Sequence, residues 1–419
     1  MGFQNDRPAF DESHKIWWTF WESKRSPATD PIIVWIMGGP GVSPAGLFFG
    51  FGGPFSLDPK TAIWKDNKYG FNQFANILCA SYPYGTGESG INSQKWMEGK
   101  AKNMPDNFVR FVQGWWDNHP EYQKNDLYLS GDSASGQFFP VIYHHALQTK
   151  PAFLPQVKGF LFDGSYFTTR YAGEKFLLDS QLFHLNTKKN QERYAKKITA
   201  LNFFTKTGGA LGVYRKMSNY LMKLKRYAPK RTCYFDVRNF TPRNRKKKAA
   251  ALRASCGFWV YLHLRLETEI FNSTKFQKYL GFTKMNSYSG GFNIGVILSD
   301  LLWLGTRDNS AGWKSMLNSG LKIGFTLGEY DGAGLITEFY NICKDTFGVE
   351  TGKEIEDKKW EVRGQGAYKN WKNIHVLKSD NAGHLVWVNK PRLVYEFFKE
   401  VVESGNVKWE ENGHGMDIN

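Results

Sequence analysis

Residues Leu127 to Gly136 read Leu-Tyr-Leu-Ser-Gly-Asp-Ser-Ala-Ser-Gly, an apolar run that ends in a glycine-flanked serine. The β-rich run predicts a buried strand, and the apolar spacing from Phe138 to Leu147 predicts a helix directly after it. A strand that feeds a helix through small residues such as Gly131 and Gly136 makes a sharp turn, which leaves the hydroxyl of Ser133 raised above a parallel sheet. The start of the helix aims backbone N–H groups and a positive dipole end at the same point. Ser133 is therefore the candidate nucleophile. A Gly-x-Ser tripeptide is common, so the rest of the chain has to supply a base, an orienting acid and an oxyanion site.

Similar apolar runs bounded by turn residues recur at Ile16 to Phe20, Ile32 to Met37, Ile77 to Ser81, Phe160 to Asp163, Lys322 to Leu327 and Ile374 to Leu377. These read as strands of one buried sheet. Helical patterns at Phe108 to Asp117, Phe138 to Leu147 and Leu393 to Val402 lie between or after them. The alternation predicts an α/β fold with a mostly parallel central sheet and helices on both faces. From about Thr168 to Gly305 the chain turns helical and basic, which predicts an inserted cap over the carboxyl edge of the sheet. The expected division is a core in two parts, 1–167 and 306–419, with an inserted helical cap at 168–305. At 419 residues and 41% hydrophobic content the chain is large enough for that arrangement.

Fifty-five Lys and Arg against 39 Asp and Glu give a net charge of +16, which would suit an anionic partner if the charge were concentrated. It is spread, apart from Arg243 to Lys248 after Pro242, a run with no interleaved aromatics or nucleic-acid motif. A solvated loop, open to proteolytic nicking, is the expectation there, with no nucleic-acid partner. No apolar run reaches the length of a membrane span, and Met1 to Arg7 has no signal-peptide pattern. Cys79, Cys233, Cys256 and Cys343 have no metal-ligand spacing, so no metal is expected. Cys79 reads as a buried thiol, and Cys233 and Cys256 bracket the basic loop, where an oxidising compartment would let them pair. Asn239 and Asn272 begin Asn-x-Thr sequons, which matter only in a secretory protein.

A nucleophilic serine needs a base, and the base needs a carboxylate to orient it; in an α/β-hydrolase these follow the serine in the order Ser, Asp, His, on loops after strands. Asp331 follows the run Lys322 to Leu327, and His384 follows Ile374 to Leu377. Trp35-Ile-Met-Gly-Gly-Pro-Gly ends a strand expected beside the nucleophile strand, and its glycines let a backbone N–H approach a substrate carbonyl. The loop lacks a Gly-Lys-Ser/Thr step, which excludes a phosphate-binding loop of that type.

With these parts in order, the chain resembles the serine carboxypeptidases, peptidase family S10. The resemblance rests on Lys15-Ile-Trp-Trp-Thr-Phe-Trp-Glu-Ser, Trp35-Ile-Met-Gly-Gly-Pro-Gly, Asn76-Ile-Leu with Pro83-Tyr-Gly-Thr-Gly, Gly131-Asp-Ser-Ala-Ser-Gly, Gly328-Glu-Tyr-Asp and Ala382-Gly-His-Leu-Val. It implies an α/β-hydrolase fold with a helical cap, Ser133 as nucleophile, His384 as base and then acid, and Asp331 orienting the histidine. Gly39 and Ala134 would supply the oxyanion N–H groups. It further implies a peptide or protein C-terminus as substrate, no cofactor, a secreted, vacuolar or lysosomal location, and a cap loop between Cys233 and Cys256 that some members cut.

Three positions depart from the pattern that the resemblance implies. Members hold the substrate's terminal carboxylate with an Asn in the Gly-Gly-Pro-Gly loop, a Glu before Gly-Pro and the Glu before the nucleophile. Here Met37, Phe51 and Asp132 stand at those places, with Gly38 beside them in the substrate-binding set. A hydrogen bond to a charged group is worth about 1.5–3 kcal/mol, which neither Met nor Phe can supply. Val42 stands where the family's loop carries a disulfide Cys, and Leu385, Val386 and Trp387 follow the histidine without the usual Met and Pro. The leading expectation is a serine-type carboxypeptidase-like hydrolase. The alternatives are a serine acyltransferase or esterase on the same triad, and a noncatalytic homologue.

Overall fold

The computed structural model describes residues 2–5, 15–38, 42, 44, 52–57, 64–83, 86, 89, 104–165, 188–189, 191–193, 273–274, 309–331, 336–363 and 365–404. In chain order the strands are β1 (Gly2–Asn5), β2 (Lys15–Trp21), β3 (Ile32–Ile36), β4 (Phe55–Leu57), β5 (Trp64–Asp66), β6 (Asn76–Ala80), β7 (Leu127–Asp132), β8 (Val157–Asp163), β9 (Lys322–Gly328), β10 (Glu361–Arg363), β11 (Gly366–Trp371) and β12 (Ile374–Ser379). The α-helices are α1 (Met104–Asn118), α2 (Ser135–Thr149), α3 (Ser310–Leu317), α4 (Ile336–Phe347), α5 (Val349–Asp357), α6 (Val386–Asn389) and α7 (Pro391–Glu403).

Ten strands form one sheet in the order β1-β2-β6-β3-β7-β8-β9-β12-β11-β10, and β4 with β5 makes a separate hairpin. The six central strands, β6 through β12 in that order, pair in parallel; β2 and β1 on one side and β11 and β10 on the other pair antiparallel. This is the mostly parallel sheet expected from the sequence, widened by edge strands that the apolar pattern did not show. β11, Gly-Ala-Tyr-Lys-Asn-Trp, has no β-branched residue, and β10 is only three residues long.

Alternation along β3 shows why the central strands read as continuous apolar runs. Ile32, Val34 and Ile36 pack into a cluster with Phe108, Trp115, Phe138, Trp313 and Phe339 of α1 to α4, while Ile33 and Trp35 pack on the other face with Phe397 and Phe398 of α7. Both faces are covered, so neither set of alternating side chains can be polar. Cys79 on β6 is the buried free thiol that its apolar setting implied. The expected 168–305 cap, with Cys233, Cys256, Asn239, Asn272 and the basic run, lies almost entirely outside the described residues, and the pairing of the two cysteines with it.

Candidate active site

The register of the parallel strands brings their carboxyl ends into line. Ile36 of β3 stands opposite Gly131 of β7, and one row of partners then runs Asp132, Asp163, Thr326, Leu377 across β7, β8, β9 and β12. Loops leaving these ends therefore meet at one edge, as in open parallel sheets generally.

Ser133 leaves β7 with φ at +50°, in the left-handed region. A non-glycine residue there is strained by on the order of 1 kcal/mol or more, and the reward here is a hydroxyl thrown clear of both strand and helix. The ladder holds the turn, because the Ser133 N–H donates to the carbonyl of Asp163 at 3.0 Å. Helix α2 starts with Ala134 at its N-cap, without a side chain capping it, and first-turn N–H groups have no carbonyl within the helix to bond. Gly38 presses against this turn: a Cβ on it would lie 2.5 Å from Ser133 Cβ and 2.8 Å from the Ala134 nitrogen. Only glycine leaves the Ala134 N–H uncovered.

His384 lies with its Nε2 2.9 Å from Ser133 Oγ, and its Nδ1 lies 2.9 and 3.0 Å from the two carboxylate oxygens of Asp331. With both oxygens of one carboxylate against Nδ1, the proton is held there, which leaves Nε2 as acceptor for the serine hydroxyl. All three side chains are buried. Burial alone lowers the His384 pKa, but the Asp331 charge, its hydrogen bond and the Asp132 charge together outweigh it, so the imidazole is held above its ordinary value. The histidine loop reaches this place because Gly164, with φ at +49°, carries no Cβ to meet the His384 carbonyl.

Asp132 is buried and accepts the Gly38 N–H at 3.0 Å. Burial pushes its carboxyl up from 3.8 to about 6, against the opposing pull of the Gly38 N–H and of His384. A folded pKa above the unfolded one means that the native state binds the extra proton, so this group's stabilisation is present below about pH 3.8 and is lost as pH rises through about 6. Asp132→Asn keeps the acceptor for Gly38 without the charge. At pH 7 it is expected to be more stable than the parent, by on the order of 1–3 kcal/mol at about 1.4 kcal/mol per unit. Denaturant unfolding at pH 7 and pH 4 checks this, the gain being expected at the higher pH alone.

Of the other residues expected at the site, Met37 is buried in the apolar cluster on the α7 face, its sulfur 3.4 Å from the indole N–H of Trp35. Gly39 and Phe51 lie outside the described residues. Sequence reasoning passed over Asp163 and Thr326, both fully buried beside the triad. The available signal was an acidic residue closing the otherwise apolar run Gly-Phe-Leu-Phe, directly before a glycine. Among the described residues no cluster of His, Cys, Asp and Glu could hold a metal ion.

A mostly parallel sheet covered by helices on both faces, with a buried Ser, His and Asp hydrogen-bonded at its carboxyl edge, is the architecture of an α/β-hydrolase. The family model described as serine carboxypeptidase matches residues 8–404, and the chain belongs to that family. It is a serine carboxypeptidase-like hydrolase. Among its relatives, serine carboxypeptidase-like 48 of Arabidopsis thaliana is 24% identical over 92% of this chain and 74% of its own length. Serine carboxypeptidase 3 of Hordeum vulgare is 24% identical over 93% of this chain and 75% of its own length. A solved structure with the same fold is that of Kex1(delta)p, a prohormone-processing carboxypeptidase from Saccharomyces cerevisiae. It has a TM-score of 0.75 at 16% identity, covering 96% of this chain and 90% of that one.

Proposed function

We propose that the protein removes residues from the C-terminus of peptides through an acyl-enzyme on Ser133. The observation that carries the reading is the unbroken run of hydrogen bonds from Ser133 through His384 to Asp331, with every member buried. In this reading Ser133 Oγ attacks the scissile carbonyl as His384 Nε2 takes its proton, and the imidazolium that forms is held by Asp331. The oxyanion is met by the N–H groups of Ala134 and Gly39, the former left open by Gly38. His384 then protonates the departing amine, and a water activated by the same imidazole releases the acyl group.

Asp132 is the group suited to a terminal carboxylate: below about pH 6 its carboxyl is neutral and able to donate, and above that it repels a second carboxylate. Met37 and Phe51 offer such a carboxylate no hydrogen bond, and the burial of Met37 against Trp35 favours a second reading, an acyltransferase or esterase on the same triad. Among the described residues no helix is long and apolar enough to cross a membrane. The family membership supports a secreted, vacuolar or lysosomal setting.

A fluorophosphonate probe followed by peptide mass mapping is expected to place the adduct on Ser133, and an unmodified Ser133 in folded protein would remove both enzymatic readings. Matched peptides with free and amidated C-termini separate the two. Preference for the free form, strongest below about pH 6, is expected of the carboxypeptidase; equal cleavage of both would leave the esterase or acyltransferase.

A further inference from the structure

Asp163 ends β8 between the strand that carries the nucleophile and the strand that leads to Asp331, and the chemistry described so far makes no use of its side chain. It touches the segment that delivers each catalytic residue by a different atom. Its carbonyl accepts the N–H of Ser133 at 3.0 Å. Its Oδ2 accepts the N–H of Val386, two residues past His384, at 3.0 Å. Its Oδ1 is hydrogen-bonded to the hydroxyl of Thr326 on β9, the strand whose end gives the turn to Asp331. The next residue, Gly164, donates its N–H to the Thr326 carbonyl at 2.8 Å and lies against the His384 backbone.

We propose that Asp163 is a positioning residue that clamps the nucleophile turn, the histidine loop and the Asp331 strand in one register. The proposal rests on the reading of Ser133 and His384 as the reacting pair. A group in such a place need carry no charge, and its surroundings favour the neutral form. The carboxyl faces Asp132 from β7 and Asp331 from the turn after β9. Burial first, then the charges of Asp132 and Asp331, hold its pKa well above the usual carboxylate range, opposed by the Thr326 hydroxyl and the Val386 N–H. A neutral carboxyl presents one acceptor and one donor, and an asparagine presents the same pair in the same shape.

Asp163→Asn and Asp163→Ala separate clamp from charge. The first measurement is the rate of Ser133 modification by a fluorophosphonate in protein whose fold has been checked by thermal unfolding. The second is the strongly deshielded Nδ1–H proton of His384 in NMR, which reports the His384–Asp331 geometry whether or not Ser133 reacts. The asparagine variant is expected to react within about threefold of the parent and to keep the proton. The alanine variant is expected to react about tenfold or more slowly, with the proton lost or displaced, because small misplacements of catalytic groups cost that much. A folded alanine variant with the parent's rate overturns the proposal, as does an asparagine variant impaired as deeply as alanine. If alanine at 163 prevents folding, Thr326→Val removes one of the two side-chain bonds and is expected to slow modification about threefold; an unchanged rate overturns the clamp. If Ser133 in the parent does not react at all, the hydrolase reading fails and the NMR proton decides alone: unchanged in the alanine variant, it overturns the proposal, and lost there but kept with asparagine, it sustains it.

Discussion

Ser133→Gly is expected to abolish hydrolysis and to stabilise the protein in the same step. The loss is on the order of 10⁴- to 10⁶-fold in kcat, the range in which removal of a nucleophile leaves only oxyanion and binding contributions. The gain comes from the backbone. Ser133 sits at φ +50°, a conformation that costs a side-chain-bearing residue on the order of 1 kcal/mol and glycine almost nothing. The serine hydroxyl makes its hydrogen bond to His384 inside a buried site, so some of the relief is offset by that loss. Calorimetry should show a melting temperature at or above the parent's, with no turnover of peptide or ester. A clear fall in melting temperature would mean that the turn is not strained in solution.

Asp331→Asn is expected to cost about 10⁴-fold in kcat while leaving the fold intact, as neutral replacement of an orienting carboxylate does in a serine triad. The asparagine can present its N–H₂ to His384 Nδ1, which then becomes the acceptor, so the proton moves to Nε2 and the imidazole can no longer take one from Ser133. A second signature follows in pH. The Asp331 charge and hydrogen bond are the main forces that hold His384 above its ordinary value against burial. Without them burial prevails and the pKa falls, so the acid limb of residual activity should move to lower pH. Single-turnover rates with an activated ester across the acid range check both parts. An acid limb that stays in place would assign it to another group, such as Asp132, whose buried carboxyl is pushed up to about 6.

The two variants draw on different layers of the molecule. The Ser133 turn was legible in the sequence because it depends on neighbours along the chain: a buried apolar strand, glycines at 131 and 136, and a helical pattern directly after. Asp331 and His384 were legible for a related reason, since each follows an apolar run that can only be a central strand. Much of the rest was not local. Gly38 and Asp132 are 94 positions apart and share a hydrogen bond, and nothing in either segment states that the other will arrive. The edge strand β10 and its neighbour β11 escaped notice because half-exposed strands near an edge need no apolar run, and Lys369 of β11 is buried by placing its amine against Tyr340 and the backbone of α5.

Three carboxylates, those of Asp132, Asp163 and Asp331, reach the same sheet edge, each at or just after the carboxyl end of a parallel strand. Sequence by itself determined their chemistry, their order and the strands that deliver them, because strand period and turn residues are written into short stretches of chain. It also nominated Asp331 by its place after the serine. Which carboxylate accepts Gly38 and which bridges Thr326 to Val386 was decided by the tertiary structure alone. Those assignments follow from strand register, and a shift of one residue would turn Asp132 and Asp163 to the opposite face of the sheet.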